Sequence, residues 1–246
     1  MSAVTVSAVR RSFADRPVLD GIDFDVAGGE FVSVIGPSGS GKSTLFGLIA
    51  GLDTPDTGTV TVGGAPAAPG RAALMPQKDL LFPWRSVVDN CALGLEVQGI
   101  PRAEARARAA NLFPAFGLAG FENARPGELS GGMRQRAALA RTVVQGRDVV
   151  LLDEPFGALD SLTRTDMQLW LQDVWMRDRW TVLMITHDVR EAVLLSDRVL
   201  VLSPRPARIR HEVRVPLPRP RTLETLTDPD FVALERELVD ILHSTA

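Results

Sequence analysis

Phe31-Val32-Ser33-Val34-Ile35-Gly36-Pro37-Ser38-Gly39-Ser40-Gly41-Lys42-Ser43-Thr44-Leu45-Phe46-Gly47-Leu48-Ile49-Ala50 decides the fold. Phe31 to Ile35 is an apolar run of strand length, and Leu45 to Ala50 is helix-like. Between them lies a glycine-rich turn with the phosphate-loop spacing of Gly, four residues, then Gly-Lys-Ser/Thr. Glycines let backbone N–H groups curl inward around phosphate oxygens, in conformations that a β-carbon resists. The helix start that follows aims its positive dipole end at the same anion. Lys42 then reaches the β- and γ-phosphates, and the Ser43 hydroxyl binds Mg²⁺. A plain flexible turn explains the glycines but not Lys-Ser at that offset after a buried-type strand. Gly36, Pro37, Ser38, Gly39, Ser40, Gly41, Lys42, Ser43 and Thr44 are therefore read as the nucleotide-contacting stretch.

Outward from this loop the pattern changes twice. On the N-terminal side, Val4 to Val9 and Val18 to Val26 alternate like strands, and Thr59 to Val62 between Gly58 and Gly63-Gly64 reads as a hairpin arm. These predict an antiparallel sheet. On the C-terminal side, Val149 to Leu152, Thr181 to Ile185 and Val199 to Leu202 are short apolar runs separated by helical stretches. Such runs predict a mostly parallel sheet covered on both faces. From about 83 to 127 no strand pattern occurs. Pro101 to Phe113 reads there as an amphipathic helix with Pro101 in its first turn, its Arg102, Arg106 and Arg108 forming a solvated face with Glu104. Pro204 to Ile209 and Pro216 to Arg221 predict an irregular or edge-strand segment. Asp228-Pro229-Asp230 predicts a capped terminal helix, with Phe231, Leu234, Leu238 and Ile241 at helical spacing. The expected organisation is a core with a β-subdomain over 1–82 and 145–221, a helical lobe over 83–144 and a C-terminal helix over 222–246.

Composition bounds the partners. The 246 residues are 45% hydrophobic and 23% charged, enough for one large soluble core. A net charge of -3 argues against a general nucleic-acid binder. The single Cys91 excludes an internal disulfide framework and fits a reducing compartment. No charged-then-apolar leader pattern opens the chain, and no apolar run approaches the ~20 residues of a membrane-spanning helix. A membrane role would be exercised from the water side.

Two further stretches carry chemistry. Val149-Val150-Leu151-Leu152-Asp153-Glu154 places two carboxylates at the end of a buried strand, on the sheet edge where the phosphate loop also lies. Asp153 would orient the Mg²⁺ shell, and Glu154 would accept a proton from the attacking water or position it. In Leu129-Ser130-Gly131-Gly132-Met133-Arg134-Gln135-Arg136, a serine and two glycines open a helix with free N–H groups. That is an ordinary serine cap or a second anion-binding helix start, and its company with a phosphate loop favours the second.

With these motifs in order, nearly the whole chain resembles the ATP-binding subunits of ABC transporters. The resemblance implies an α/β P-loop NTPase with a mixed sheet core, an N-terminal antiparallel β-subdomain and an inserted helical lobe. Lys42 takes the Walker A role, Asp153-Glu154 the Walker B role, and Leu129 to Gly132 the signature role. Gln77 matches the Q-loop glutamine, Asp160 closes the D-loop stretch Pro155 to Asp160 (Ala158 included), and His187 matches the switch histidine. Phe13 stands where the family places an adenine-stacking aromatic, in a chain that holds no tyrosine. The resemblance implies Glu154, His187 and Gln77 as catalytic residues, and Ser43, Gln77 and Asp153 around Mg²⁺. It also implies that Ser130, Gly131 and Gly132 act on ATP held by a second copy of the chain.

Leu80 to Asn90, Phe156 to Asp160 and Ser203 to Ile209 look like importers of nitrate, sulfonate and taurine. Importers of pyrimidine vitamin precursors share these features. The resemblance then implies integral-membrane permease subunits, a separate solute-binding protein, and a peripheral place on the cytoplasmic face of the membrane. Trp84 and its neighbours lie in the family beside the groove that receives the permease's coupling helix. An exporter or lipoprotein-extracting ATPase shares every catalytic residue, and only the importer-like segments argue against it. A DNA-repair type ATPase would need a sustained coiled coil between Lys42 and Ser130, which the heptad pattern does not support. A translation factor of this type would need a second phosphate loop.

Overall fold

In the computed structural model, residues 2–157 and 159–244 are described; Met1, Ala158, Thr245 and Ala246 lie outside them, and Ala158 is the alanine of the D-loop stretch. Two strands, β1 (Ser2–Phe13) and β2 (Arg16–Ala27), precede β3 (Phe31–Ile35) and α1 (Lys42–Ile49). Then come β4 (Thr57–Val62), β5 (Ala65–Pro66) and β6 (Ala73–Met75). Helices α2 (Val87–Val97), α3 (Arg102–Leu112) and α4 (Gly131–Val143) follow without an intervening strand. The chain continues through β7 (Val149–Asp153), α5 (Ser161–Asp178), β8 (Thr181–Ile185), α6 (Val189–Leu195), β9 (Arg198–Leu202), β10 (Ile209–Arg214) and α7 (Pro229–Ser244).

The strands form two sheets. One is four-stranded and antiparallel, in the order β2-β1-β4-β5, with Gly63-Gly64 turning β4 into β5. The other is six-stranded, in the order β10-β9-β3-β8-β7-β6. Its pairs are parallel except β10 with β9, so the fold is the mixed α/β architecture expected. Between the two proline- and arginine-rich stretches, β10 enters this sheet as its antiparallel edge strand, and the prolines stay outside its ladder.

The apolar runs owe their lack of alternation to burial on both faces. In β3, Phe31 and Ile35 join one core while Val32 and Val34 join the other. The same division separates Val150 and Leu152 from Val149 and Leu151 in β7, and Val182 and Met184 from Leu183 and Ile185 in β8. The first core holds α2 to α7, and the second holds α1 and the antiparallel sheet. Each residue turns its side chain to an occupied face, so these strands carry no charged residue except Asp153, where β7 reaches the open edge of the sheet.

Local chemistry sets the helix starts. Ser86 caps α2, accepting from Asp89 N–H, and Asp228 accepts from Asp230 N–H before α7. Pro101 stands at the cap of α3 with ψ 138°, one residue earlier than its expected first-turn place. The α3 arginines are not a purely solvated face. Arg102 and Arg106 both reach across to Asp89 of α2, Arg102 at 3.2 Å, while Arg108 pairs with Glu104. Among the described residues, no helix is long and apolar enough to cross a membrane.

Candidate active site

The parallel strands bring their carboxyl ends to one edge. Register aligns Val34 with Ile185, Ile185 with Asp153 and Leu152 with Met75. The residues just beyond those ends therefore share one space: the phosphate loop after β3, Gln77 after β6, Glu154 after β7 and His187 after β8. That is where ligands of open parallel sheets bind. A pocket of about 440 Å³ opens there, lined by Ser38, Gly39, Gly41, Lys42, Ser43, Thr44, Gln77, Glu154, His187 and Arg205.

The loop conformation needs its glycines. Gly41 has φ 115°, and a β-carbon there would lie 2.8 Å from Val18 Cγ1, so the loop is pressed against β2 with no room for a side chain. Lys42 is buried at the start of α1. Its Nζ donates to the carbonyls of Gly36 and Pro37 at 2.9 Å each. An ammonium has three donors, so one remains for an anion in the pocket. Burial pushes the Lys42 pKa down, with Glu154 and Asp153 opposing. Burial pushes the Asp153 carboxyl up; its Ser43 hydrogen bond opposes this, Glu154 adds to it and Lys42 opposes it.

Glu154 is the centre of the far wall. Gln77 Nε2 donates to its Oε2 at 2.7 Å, and His187 Nδ1 lies 3.5 Å from the same oxygen. The Glu154 backbone has φ 47°, a left-handed conformation that costs a β-carbon residue about 1–3 kcal/mol. It is held by Glu154 N–H donating to Ile185 O at 2.9 Å and by Gly157 N–H donating back to Glu154 O at 3.2 Å. The second contact turns the chain sharply into the D-loop stretch. Gln135 of α4 is buried and donates to Pro155 O, so the residue after Glu154 is fixed from the α4 side as well.

The remaining sequence-derived residues lie elsewhere. Ser130 caps α4, its Oγ accepting from Met133 N–H at 3.2 Å, and its side is exposed. Ser130, Gly131 and Gly132 do not line the Lys42 pocket. Gly132 is closely packed: a β-carbon there would stand 2.8 Å from Thr163 Cγ2 of α5. Asp160 caps α5 by accepting from Thr163 N–H at 3.1 Å, and hydrogen bonds from the Thr163 side chain and then its backbone hold the carboxyl below the usual range. Phe13 lies at the end of β1, 45% exposed, with the Arg11 guanidinium 4.6 Å from its ring centre. Pro37, Ser40 and Gly36 belong to the loop but do not line the pocket.

Arg205, from the proline- and arginine-rich stretch, also joins the pocket wall. The sequence carries no local signal for this, because Arg205 lies between Pro204 and Pro206 in a stretch that reads as an irregular or edge-strand segment. It enters because Ala207 N–H donates to Val18 O at 2.8 Å and Asp20 N–H to Ala207 O at 2.9 Å, which ties that segment beside the phosphate loop.

Comparison with known proteins gives concordant results. The family model described as ABC transporter matches residues 19–157. The aliphatic sulfonates import ATP-binding protein SsuB 2 of Streptomyces avermitilis is 50% identical over 220 residues, covering 89% of this chain and 84% of the relative. The formylaminopyrimidine import ATP-binding protein ThiZ of Halalkalibacterium halodurans is 46% identical over 212 residues, covering 86% and 84%. Among solved structures, a dimeric post-hydrolysis state of the ATP-binding cassette MJ0796 bound to ADP and Pi superposes with a TM-score of 0.75 at 28% identity, over 86% of this chain and 98% of that one.

Proposed function

Because this chain belongs to the ABC transporter family, we propose that its active site is completed between two copies and that the system it energises imports a small organic anion. The chain is the ATP-hydrolysing subunit of an ABC importer. One observation carries the two-copy reading. Lys42, Gln77, Glu154 and His187 converge on one pocket, while Ser130, at the capped and exposed start of α4, does not line it. Each chain would thus offer half of two sites, across a two-fold interface.

In this reading, the loop amides and Lys42 hold the β- and γ-phosphates. Water attacks the γ-phosphorus in line, and the bond to the ADP oxygen breaks. Glu154 takes the water's proton or fixes its orientation, while His187 steadies the γ-phosphate and Gln77 orders the carboxylate. Ser130 and the Gly131 and Gly132 amides of one copy would face the γ-phosphate held by the other, and Asp160 would line the seam. Phe13, beside Arg11, would stack on adenine. A hydroxyl at Ser43, a carboxylate at Asp153 and an amide oxygen at Gln77 form a hard-oxygen set suited to Mg²⁺, and the half-buried Asp153, hydrogen-bonded to Ser43, is the group such an ion would stabilise. When bound, the ion supplies charge neutralisation on the phosphate oxygens.

Hydrolysis would reach the membrane through residues 83–144, read as a helical lobe. Beside it lies an apolar groove of about 580 Å³ that includes Leu80, Phe82 and Val97. Trp84 is 68% exposed and packs on Phe82 at 5.2 Å between ring centres. Arg141 of α4 donates to Asp79 O at 2.5 Å and Leu80 O at 2.8 Å, linking the groove to the Ser130 helix. A permease helix seated there would hold the chain on the cytoplasmic face of the membrane, with a separate protein delivering the solute.

The relatives' names favour a sulfonate first and a formylaminopyrimidine second; taurine and nitrate stand beside the sulfonate on the importer-like segments of the sequence, and a thiamine precursor beside the pyrimidine. Relatives named as import proteins weigh against an exporter or lipoprotein-extracting role. The test is to co-purify the chain with its permease and solute-binding protein, then measure vesicle ATPase with an alkanesulfonate, taurine, nitrate or formylaminopyrimidine. Stimulation by a sulfonate supports the first reading. Stimulation by the pyrimidine alone moves the substrate to the second, and absence of any permease association removes the importer role.

A further inference from the structure

His187 stands on the short loop between β8 and α6, with its side chain 66% exposed. An exposed imidazole that must meet a phosphate needs its loop fixed from behind, or ordering it consumes binding energy. The fixing groups are buried. Thr186 Oγ1 donates to Glu191 Oε2 at 2.5 Å and accepts from Asp188 N–H at 3.0 Å. Glu191 is 4% exposed, and its Oε1 accepts from Gln168 Nε2 of α5 at 3.0 Å.

Arg164 lies one helical turn before Gln168, on the same face of α5. Its planar guanidinium addresses two loops. Nη2 donates to Leu159 O at 2.8 Å, in the D-loop stretch next to Asp160. Nη1 lies 3.8 Å from Asp188 Oδ2, and Nε lies 4.0 Å from Glu191 Oε1. Nε is buried and has no hydrogen-bond partner among the described residues. A shift on the order of 1 Å would turn the Nε approach into a charge-assisted hydrogen bond. Asp160, Ser161 and Leu162 are exposed at the head of the same helix, Leu162 by 79%.

We infer that Arg164 is a positioning residue that ties the Asp160 loop to the His187 loop, so that displacement of the first by a partner copy sets the placement of the second. The Leu159 carbonyl is the handle, the rigid guanidinium the lever, and Glu191 with Thr186 the seat of the histidine loop. A lysine could not reproduce this, because one ammonium cannot serve a carbonyl on one side and two carboxylates on the other. The inference rests on the reading of His187 as the γ-phosphate-facing residue.

The test uses the full chain and follows the imidazole signals of its three histidines, His187, His211 and His243, by NMR, each assigned by its own substitution. Arg164→Met should move the His187 signal and leave the other two in place. Asp160→Ala should also move it, but should add nothing in an Arg164→Met background. Steady-state turnover of Arg164→Met should fall about 10- to 100-fold with the KM for ATP nearly unchanged, as expected for a misplaced catalytic group. Arg164→Lys should give the same changes in smaller measure, which guards against a poorly folded Met variant. An unmoved His187 signal, or additive effects of Asp160→Ala, overturns the inference even if turnover falls. His187→Ala separates the two levels: full turnover there removes the parent reading, whereas an inactive His187→Ala beside a fully active Arg164→Met removes the lever alone.

Discussion

Gln77 Nε2 donates to Glu154 Oε2 at 2.7 Å, joining the ends of two adjacent parallel strands at one carboxylate oxygen. His187 Nδ1, from the end of a third, lies 3.5 Å from that oxygen. Two segments far apart in sequence thus meet at one side chain whose own backbone is in a left-handed conformation. Such local strain persists only where its surroundings over-determine it, and it points to a carboxylate placed for chemistry.

The first prediction follows. Glu154→Gln keeps an acceptor for Gln77 but removes the base. Turnover should fall ~10²- to 10⁴-fold, the usual contribution of general base catalysis, while Mg-ATP binding persists. Size-exclusion chromatography with ATP should then show a trapped dimer. Near wild-type ATPase activity would remove Glu154 from this role.

A second prediction concerns the exposed cap of α4. Ser130→Arg places a long cation where the partner's γ-phosphate would dock. Turnover should fall by ~10²-fold or more, the scale of losing one well-aimed donor, while fluorescent-ATP binding to a single chain stays within about twofold. If single-chain binding collapsed instead, Ser130 would belong to its own chain's site.

The legible and illegible parts of this site differ for a physical reason. Phosphate binding needs consecutive amides and a lysine at a fixed offset, so Gly36 to Thr44 is written in one contiguous stretch. Asp153-Glu154 and His187 follow strands whose two-sided burial makes them apolar throughout, which marks the strand ends. The register that brings Gln77 and His187 to one oxygen is written nowhere locally; it follows from the strand order. The places of Arg205, Arg164 and Glu191 depend on how separate elements pack, which sequence spacing does not encode. The asymmetry also holds for α3, whose arginines look solvated until the packing of α2 presents Asp89 to them.

A third prediction tests the packing under the signature. Gly132→Ala would place a β-carbon 2.8 Å from Thr163 Cγ2, a contact that forces α4 and α5 apart. Overpacking of this kind costs about 1–3 kcal/mol. Thr163→Ser removes the offending methyl and keeps a hydroxyl. The double variant should recover most of the stability lost by Gly132→Ala in a urea titration. If the two changes simply add, the close approach is not what reserves this position for glycine.

The fourth prediction concerns Glu191, whose carboxyl is pushed above the usual glutamate range, first by burial. The Thr186 hydrogen bond opposes that shift, Asp188 adds to it, and Gln168 and Arg164 oppose it. The sign of the stability effect follows from linkage. A raised folded-state pKa means that the folded chain holds this proton more tightly than the unfolded chain. Its stabilising contribution is full below the unfolded value of about 4.3 and is lost as pH rises through the folded value. Glu191→Gln keeps the size and a polar tip but carries no charge at any pH. Its melting temperature relative to wild type should therefore climb as pH is raised above the unfolded value, while the buried glutamate gains charge in the wild type and glutamine does not. A difference in melting temperature that stays constant over that range would show that Arg164, Gln168 and Thr186 compensate the charge fully. The same variant should lower turnover without that pH trend in stability predicting it, since the amide can serve Thr186 but offers Arg164 no charge to close upon.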